Sequence, residues 1–192
     1  MRNSGKHLHI ISFDIPYPAN YGGVIDVFYK LRALVSAGVK VHLHAFQYGR
    51  QSSKILEELC ESVHYYQRDV SKSQLFLKEP YIVVSRSSEQ LIKNLLSDDH
   101  PILFEGLHST HYLNDERLKK RKKIVRTHNI EHEYYKNLAK AESNIFKRYY
   151  FYNESSKLEI YESILLNADI IAAISPHDTK YFNSKYGNAH YI

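Results

Sequence analysis

The sequence predicts an α/β domain built on one doubly wound, mainly parallel sheet with helices on both faces. Short apolar segments typical of buried strands alternate with segments of helical periodicity along the whole chain. In addition, residues 7–46 have the order strand, glycine-containing loop, helix and strand. This order defines a βαβ unit, whose strands are parallel and whose crossover is right-handed.

The periodicity gives an expected position for each element. Gly38 ends the first helix, and Ser87 or Ser88 with Glu89 and Gln90 starts a later one. Residues 72–81 remain unassigned. Strands are expected at 7–13, 39–46, 63–66, 101–104, 124–127, 168–174 and 190–192, and helices at 24–35, 53–60, 87–96, 131–167 with a break near 153–155, and 175–186.

The composition limits the class of protein. The chain has 192 residues, of which 43% are hydrophobic, enough for a real core. Its single cysteine, Cys60, excludes an internal disulfide and fits a reducing compartment. The start of the chain does not resemble a signal peptide, and no apolar run reaches the ~18 residues of a spanning helix. We therefore expect a soluble, cytoplasmic protein.

The positive charge predicts an acidic partner. The formal net charge is +5 and the pI is about 9.1, which is compatible with nucleic acid, an anionic membrane or a phosphorylated ligand. The basic residues concentrate in 119–123 and 147–152, the latter interleaved with aromatic residues. Such runs are more often solvated surfaces than binding sites.

Three polar segments follow predicted strands, at residues 16–23, 105–111 and 126–132. In an open α/β sheet, ligands bind outside the carboxyl ends of the strands, so we expect these segments to share one edge. Gly22 and Gly23 directly precede a helix, where free amides and the helix dipole favour a phosphate. The sequence lacks both GxGxxG and a Walker lysine, which argues against a standard dinucleotide or nucleoside-triphosphate site.

The strongest candidate segment lies in residues 123–135, where an apolar strand runs into an ionisable cluster with Arg126, His128 and Asn129. Asn129 has a structural alternative as the cap of the next helix. His128 and His132, with Glu131 or Glu133, have an incomplete metal-ligand pattern that differs from HExxH, so no metal is expected.

We expect different roles for the other histidines. His108 after the fourth strand is a candidate for bonding to a ligand hydroxyl. His7, His9, His42 and His44 share strand faces and are interpreted as packed or surface residues.

Together these segments resemble the N-terminal domain of a GT-B glycosyltransferase, most closely the retaining family-4 enzymes. The resemblance rests on their order and spacing over nearly the whole chain. The matching segments are Pro16, Pro18, Gly22 and Gly23, then 37–42, His108, 126–129, and Ala168-Asp169 leading to 174–178.

The resemblance implies a Rossmann-like acceptor domain spanning residues 1–192, with the donor-binding domain and its paired-glutamate motif absent from this chain. It implies that Gly22 and Gly23 face the donor phosphate and that His108 contacts the reacting sugar or acceptor. Glu105, Arg126, His128 and Asn129 are then expected to line the acceptor cleft. No cofactor is expected besides the nucleotide-sugar, and the chain alone is expected to be inactive.

The implied activity is transfer of a sugar, hexosyl or mannosyl, to a glycan or lipid-linked acceptor in polysaccharide biosynthesis. Peripheral contact with an anionic membrane at the inner face, through 119–123 and 147–152, is a further expectation, whereas a nucleic-acid partner is not expected. Two alternatives remain at this stage: a basic nucleic-acid-binding module and a small-molecule α/β enzyme complete in one domain.

Overall fold

The computed structural model describes residues 6–192 and contains one sheet of seven strands in the order β3-β2-β1-β4-β5-β6-β7. All neighbouring strands are parallel. The predicted fold class, a Rossmann-like α/β domain with helices on both faces, is thereby confirmed. The strands are β1 (His7–Ser12), β2 (Lys40–Gln47), β3 (Ser62–Gln67), β4 (Ile102–Glu105), β5 (Lys123–Thr127), β6 (Ile170–Ala173) and β7 (Ala189–Tyr191).

Seven α-helices connect these strands within the described residues. They are α1 (Gly22–Ser36), α2 (Lys54–Leu59), α3 (Tyr81–Val84), α4 (Glu89–Leu95), α5 (Glu131–Ala141), α6 (Ile145–Tyr161) and α7 (Pro176–Tyr186). Shorter 3-10 turns lie at Lys72–Phe76, Leu107–Tyr112, Glu116–Leu118 and Glu162–Asn167. Within the described part of the chain, no helix is both long enough and apolar enough to span a membrane.

The core consists of two apolar layers, one on each face of the sheet. Ile10 and Leu43 pack with Leu31 of α1 and Leu56 of α2 on one face. The other layer combines strand residues with side chains from α4, α6 and α7, namely Ile11, Phe104, Val125, Ile171, Leu91, Leu158 and Phe182. Adjacent strand residues alternate between these layers, as expected for a sheet that is buried on both faces.

The predicted break in the long helical region is misplaced. The interruption lies between α5 and α6, where the Asn144 side chain accepts hydrogen bonds from the amides of Phe146 and Lys147 and starts the second helix. At the predicted position, Glu154 and Ser155 are instead buried inside α6. Glu154 accepts a hydrogen bond from the amide of Tyr81 at 2.7 Å. Its carboxylate therefore joins α6 to α3 and does not mark the end of a helix.

The basic run 119–123 is partly structural, which corrects its interpretation as a solvated surface. Arg121 and Lys123 are only 7% exposed. Arg121 donates to the carbonyls of Leu95, His100 and Asp98, while the Lys123 ammonium donates to that of Leu113 at 2.9 Å. These two cations satisfy carbonyls of the segments next to the amino ends of β4 and β5.

We predict that Arg121→Ala lowers the free energy of unfolding by at least about 2 kcal/mol, because several buried carbonyls lose their donor. Urea denaturation measures this change. The matched control is Lys120→Ala, which removes an exposed charge from the same run and should stay within about 0.5 kcal/mol of the parent protein. Equal losses in both variants would contradict a structural role for Arg121.

Candidate functional site

A cavity of about 450 Å³ opens at the carboxyl edge of the sheet. It lies beside the point where the strand order reverses, between β1 and β4, which is where open α/β sheets bind ligands. The predicted residues Gly22, Gly23, His108, Arg126, His128 and Asn129 all line it, together with Phe13, Tyr21, Asp26, Tyr134 and Ile174. Glu105, the remaining predicted residue, is fully buried next to His128.

The N-terminus of α1 forms one wall of the cavity. Tyr21 is the N-cap, and neither a side-chain cap nor an acidic residue occupies this first turn of the helix within the described chain. Its amides therefore remain available to an anionic ligand. Gly23 also has a steric role, since an added Cβ would come within 2.6 Å of the Phe13 ring.

The loop before α1 is held by Arg50 and Asp14. Arg50 donates to the carbonyl of Pro18 at 2.7 Å and to the Asn20 side chain. Asp14 accepts hydrogen bonds from its neighbour Ile15 and, at 2.8 Å, from the Tyr21 hydroxyl. These contacts set the position at which the helix begins.

Glu105 connects three elements beneath the cavity. It ends β4 and accepts hydrogen bonds from Lys30 of α1 at 2.6 Å and from His128, after β5, at 3.3 Å. Burial alone would raise the pKa of this carboxyl, but His128 and Lys30 outweigh it and lower the pKa below its usual value. Because the ionised carboxylate can only accept, His128 must donate from Nε2.

A second ion pair closes the side of the cavity. The Arg126 guanidinium binds both carboxylate oxygens of Asp26, with Nη2 at 2.8 Å from Oδ1. Asp26 also accepts from Lys30 at 3.2 Å, so α1 meets β4 and β5 through one continuous network of charges. This bidentate geometry fixes the guanidinium of Arg126 at the wall of the cavity.

Asp26, Glu105 and His128 place potential metal-ligand atoms within 4.8 Å of one another. Lys30 and Arg126 already supply positive charge to both carboxylates. The residues therefore fit an internally neutralised ion network better than a cation site.

His108 and Glu131 meet at the back of the cavity without a hydrogen bond. Their facing atoms, Nδ1 and Oε1, are 3.8 Å apart, buried and unpartnered. Burial lowers the pKa of His108, aided by the charge of Arg86. Burial also raises the pKa of Glu131 to about 7. A neutral imidazole thus presents its partly exposed ring to the cavity.

Gly106 makes room for both site histidines. Its φ is +73°, a conformation that favours glycine, and an added Cβ would lie 3.0 Å from His108 Nδ1 and 3.4 Å from His128 Cδ2. Gly106 follows Glu105 directly, so one short segment sets the carboxylate, the turn and His108.

Two alternatives for the segment after β5 are wrong. Asn129 is not the cap of α5, because Ile130 occupies that position without a side-chain hydrogen bond. His132 does not join His128, because its Nδ1 lies 3.1 Å from buried Glu162 while His128 binds Glu105. Asn129 is instead left exposed at the cavity.

Sequence reasoning missed Asp26, Lys30, Glu131 and Gly106. Asp26 and Lys30 are four residues apart on the α1 face that begins at Gly22, and this spacing was the available signal. Their partners are 75 and 100 residues away, which no local pattern reveals. Glu131 had appeared only as a possible metal ligand.

No protein-family model matches the chain. An uncharacterized 44.6 kDa protein from the cps region of Klebsiella pneumoniae is 35% identical over 151 residues, covering 74% of this chain and 39% of that protein. The chain thus spans about two fifths of the length of this relative.

The fold also matches one half of larger solved enzymes. Sucrose-phosphate synthase from Thermosynechococcus elongatus has a TM-score of 0.59 and 17% identity, covering 97% of this chain and 47% of that one. Medicago truncatula UGT71G1, solved with UDP-glucose, has a TM-score of 0.54 and 12% identity, covering 100% of this chain and 52% of that one. Both are GT-B glycosyltransferases, so the chain has a fold found in that class.

The raised pKa of Glu131 predicts a pH-dependent cost to stability. In the unfolded chain the carboxyl ionises near 4.5, whereas in the folded protein it ionises near 7. The folded state therefore binds more protons than the unfolded chain between pH 4.5 and 7. The contribution of the protonated Glu131 carboxyl to stability is full below pH 4.5 and is lost as the pH rises to about 7. We expect Glu131→Gln to raise the free energy of unfolding by about 1–3 kcal/mol at pH 8 and far less at pH 5.

Urea denaturation of parent and variant at both pH values measures the difference. Glu133→Gln is the matched control, since its side chain is exposed two residues further along α5. A gain of equal size at pH 5 and pH 8 would show that Glu131 is ionised in the folded protein throughout.

Proposed function

We propose that this chain is the acceptor-side, N-terminal domain of a retaining, family-4-like GT-B glycosyltransferase. The whole enzyme transfers a sugar from a nucleotide-sugar to a glycan or lipid-linked acceptor, and its donor-binding domain lies outside these 192 residues. One observation carries the proposal: an uncapped helix N-terminus and two histidines line one cavity at the sheet edge. The 39% coverage of the Klebsiella relative supports a larger protein, and the location of that relative in a cps region supports a role in polysaccharide synthesis.

The cavity residues suit distinct roles in this reaction. The amides at Gly22 and Gly23 suit the donor diphosphate, because a helix N-terminus binds anions. His108 suits a hydroxyl of the reacting sugar or acceptor, since its lowered pKa leaves a neutral ring that exchanges hydrogen bonds without adding charge. Arg126, His128 and Asn129 suit the acceptor, with Glu105 orienting His128 from below.

No nucleophile from the protein and no metal is part of this proposal. The family resemblance implies that the donor phosphate assists deprotonation of the acceptor hydroxyl. The residues of this chain then bind and orient the reactants, and the buried charges beneath the cavity keep the positioning groups rigid. UDP-glucose in the Medicago structure supports a nucleotide-sugar as the donor.

The nucleic-acid alternative has little support from the structure. Two of the five basic residues in the run 119–123 are buried and donate hydrogen bonds to carbonyls, which removes them from any phosphate-binding surface. The single-domain enzyme alternative predicts catalysis by this chain alone, whereas our proposal predicts none.

We expect isothermal titration calorimetry of this chain with nucleotide-sugars to give only weak binding, because exposed amide contacts of ~0.3–1 kcal/mol each provide little affinity. A chain extended to include the donor-binding domain should bind the donor and transfer sugar. Micromolar donor affinity, or turnover by the 192-residue chain, would contradict the division of the site between two domains.

In the extended chain, His108→Ala should lower kcat by roughly 5–150-fold with a smaller change in donor affinity. A hydrogen bond strengthened in the transition state is worth about 1–3 kcal/mol. Steady-state kinetics measures both quantities, and His177→Ala is the control because that histidine is 77% exposed and is not among the residues that line the cavity. Unchanged kcat in His108→Ala would remove His108 from the reaction.

We also propose peripheral contact with an anionic membrane through the first turns of α6. Ile145, Phe146 and Tyr149 are 61–79% exposed there, beside the exposed cations Lys147 and Arg148. Apolar and cationic side chains together suit a negatively charged lipid surface. The run 119–123 leads into β5, and two of its five residues are buried, so it is left out of this surface.

Sedimentation with anionic and neutral vesicles tests this contact. The parent chain should sediment with anionic vesicles, and Phe146→Ser/Tyr149→Ser should lose most of that binding through lost apolar burial. Lys119→Glu/Lys120→Glu is the control for general charge attraction and should retain most of it. Equal binding to both vesicle types, or loss only in the charge variant, would contradict docking through α6.

A further inference from the structure

Six histidine side chains form a column of near-parallel rings that starts at the amino edge of the sheet, with some rings stacked and others hydrogen-bonded edge to edge. Successive ring centroids lie 4.4–5.3 Å apart, with interplanar angles of 12–24°. Four of them had been interpreted as packed or surface residues, and the column contains both kinds. Its members are His100, His7, His42, His9, His44 and His64.

The inner part of the column has its hydrogen bonds satisfied. Asp98 accepts from His9 Nε2 at 3.0 Å, and His9 Nδ1 lies 2.8 Å from His44 Nε2. His44 Nδ1 is in turn 2.7 Å from the Tyr66 hydroxyl. These two rings are buried, and all four of their nitrogens have a partner in each other, Asp98 or Tyr66.

The outer three rings differ in that each is partly exposed and offers a ligand nitrogen. His7 begins β1, His42 is the third residue of β2, and His100 precedes β4. One ring nitrogen from each lies within 4.8 Å of the others. Three imidazoles from three separate segments of chain thus converge on a small volume open to solvent.

We propose that His7, His42 and His100 bind a divalent transition-metal ion, with Zn²⁺ as the best match. Three histidine nitrogens plus a solvent ligand complete the tetrahedral coordination that zinc prefers. Zn–N bonds of about 2.0–2.1 Å require nitrogens about 3.4 Å apart and an ion in the plane of each ring. The His100 ring must therefore turn out of its stack on His7 to complete the site.

The surrounding contacts orient the ligands. Ser62 Oγ lies 2.8 Å from His42 Nδ1, which directs Nε2 of that ring toward His7. His7 Nδ1 is 2.9 Å from His42 Nε2, and a metal ion would replace this single hydrogen bond. Arg121 donates to the carbonyl of His100 at 2.6 Å, so the third ligand is held by its backbone. Such supporting contacts are typical of metal-binding histidines.

This site lies at the amino edge of the sheet, opposite the cavity lined by His108 and His128. An ion there links β1, β2 and the segment before β4, so it stabilises the fold and takes no part in transfer. Because binding needs all three segments in their folded arrangement, the ion should raise the melting temperature.

Metal titration of the tag-free 192-residue chain tests the site. Competition with a chromophoric chelator should give one equivalent of tightly bound Zn²⁺, and Zn²⁺ should raise the Tm. Co²⁺ as a spectroscopic substitute should show the intense visible bands of tetrahedral coordination. His7→Ala and His100→Ala should each weaken Zn²⁺ binding at least tenfold, whereas His64→Ala and His177→Ala should leave it unchanged.

The zinc site is ruled out if the parent chain binds Zn²⁺ no more tightly than about 100 µM, or if the His7→Ala/His100→Ala double variant keeps the parent affinity. Should the variants fold poorly, octahedral Co²⁺ bands in the parent chain alone would overturn it. None of these results bears on sugar transfer, whose test uses the opposite edge of the sheet.

Discussion

The buried carboxylate of Glu105 is the constraint on which the arrangement of the candidate site depends. It is fully buried at the end of β4, where an unpaired negative charge would be strongly destabilising. Lys30 of α1 forms an ion pair with it, and His128 from the segment after β5 donates a hydrogen bond to it. The same lysine contacts Asp26, which binds Arg126. One buried charge therefore fixes how the first helix, the central strand and its neighbour meet at the cavity.

The carboxyl and amino edges of this parallel sheet carry different groups of side chains. At the carboxyl edge, the end of β4 and the N-terminus of α1 place polar groups around an open cavity. At the amino edge, near-parallel histidine rings of adjacent strands hydrogen-bond with one another. The basic run 119–123 belongs to this second edge, where two of its cations bind carbonyls. The net positive charge is therefore divided between structural and exposed positions.

Sequence reasoning predicted the fold because apolar periodicity records which side chains must be buried. It also placed Gly22, His108 and His128 at one edge, since the ends of parallel strands converge. It misplaced the helix break, because the local polarity of Glu154 and Ser155 hides a burial that depends on distant helix packing. The pairing of Asp26 with Arg126 and the stacking of His7 on His100 join residues about 100 positions apart, beyond the reach of local patterns.

The central claim is that the cavity between α1 and the ends of β4 and β5 is the ligand-binding edge of this domain. Amide chemical-shift mapping by NMR of the labelled chain, titrated with millimolar UDP-glucose, tests it most directly because weak binding is still detected. If the claim holds, the largest shifts occur at Gly22, Gly23 and Asn129, with little change near His42 and Lys120. Shifts centred on the amino edge of the sheet, with none at Gly22 and Gly23, would contradict it.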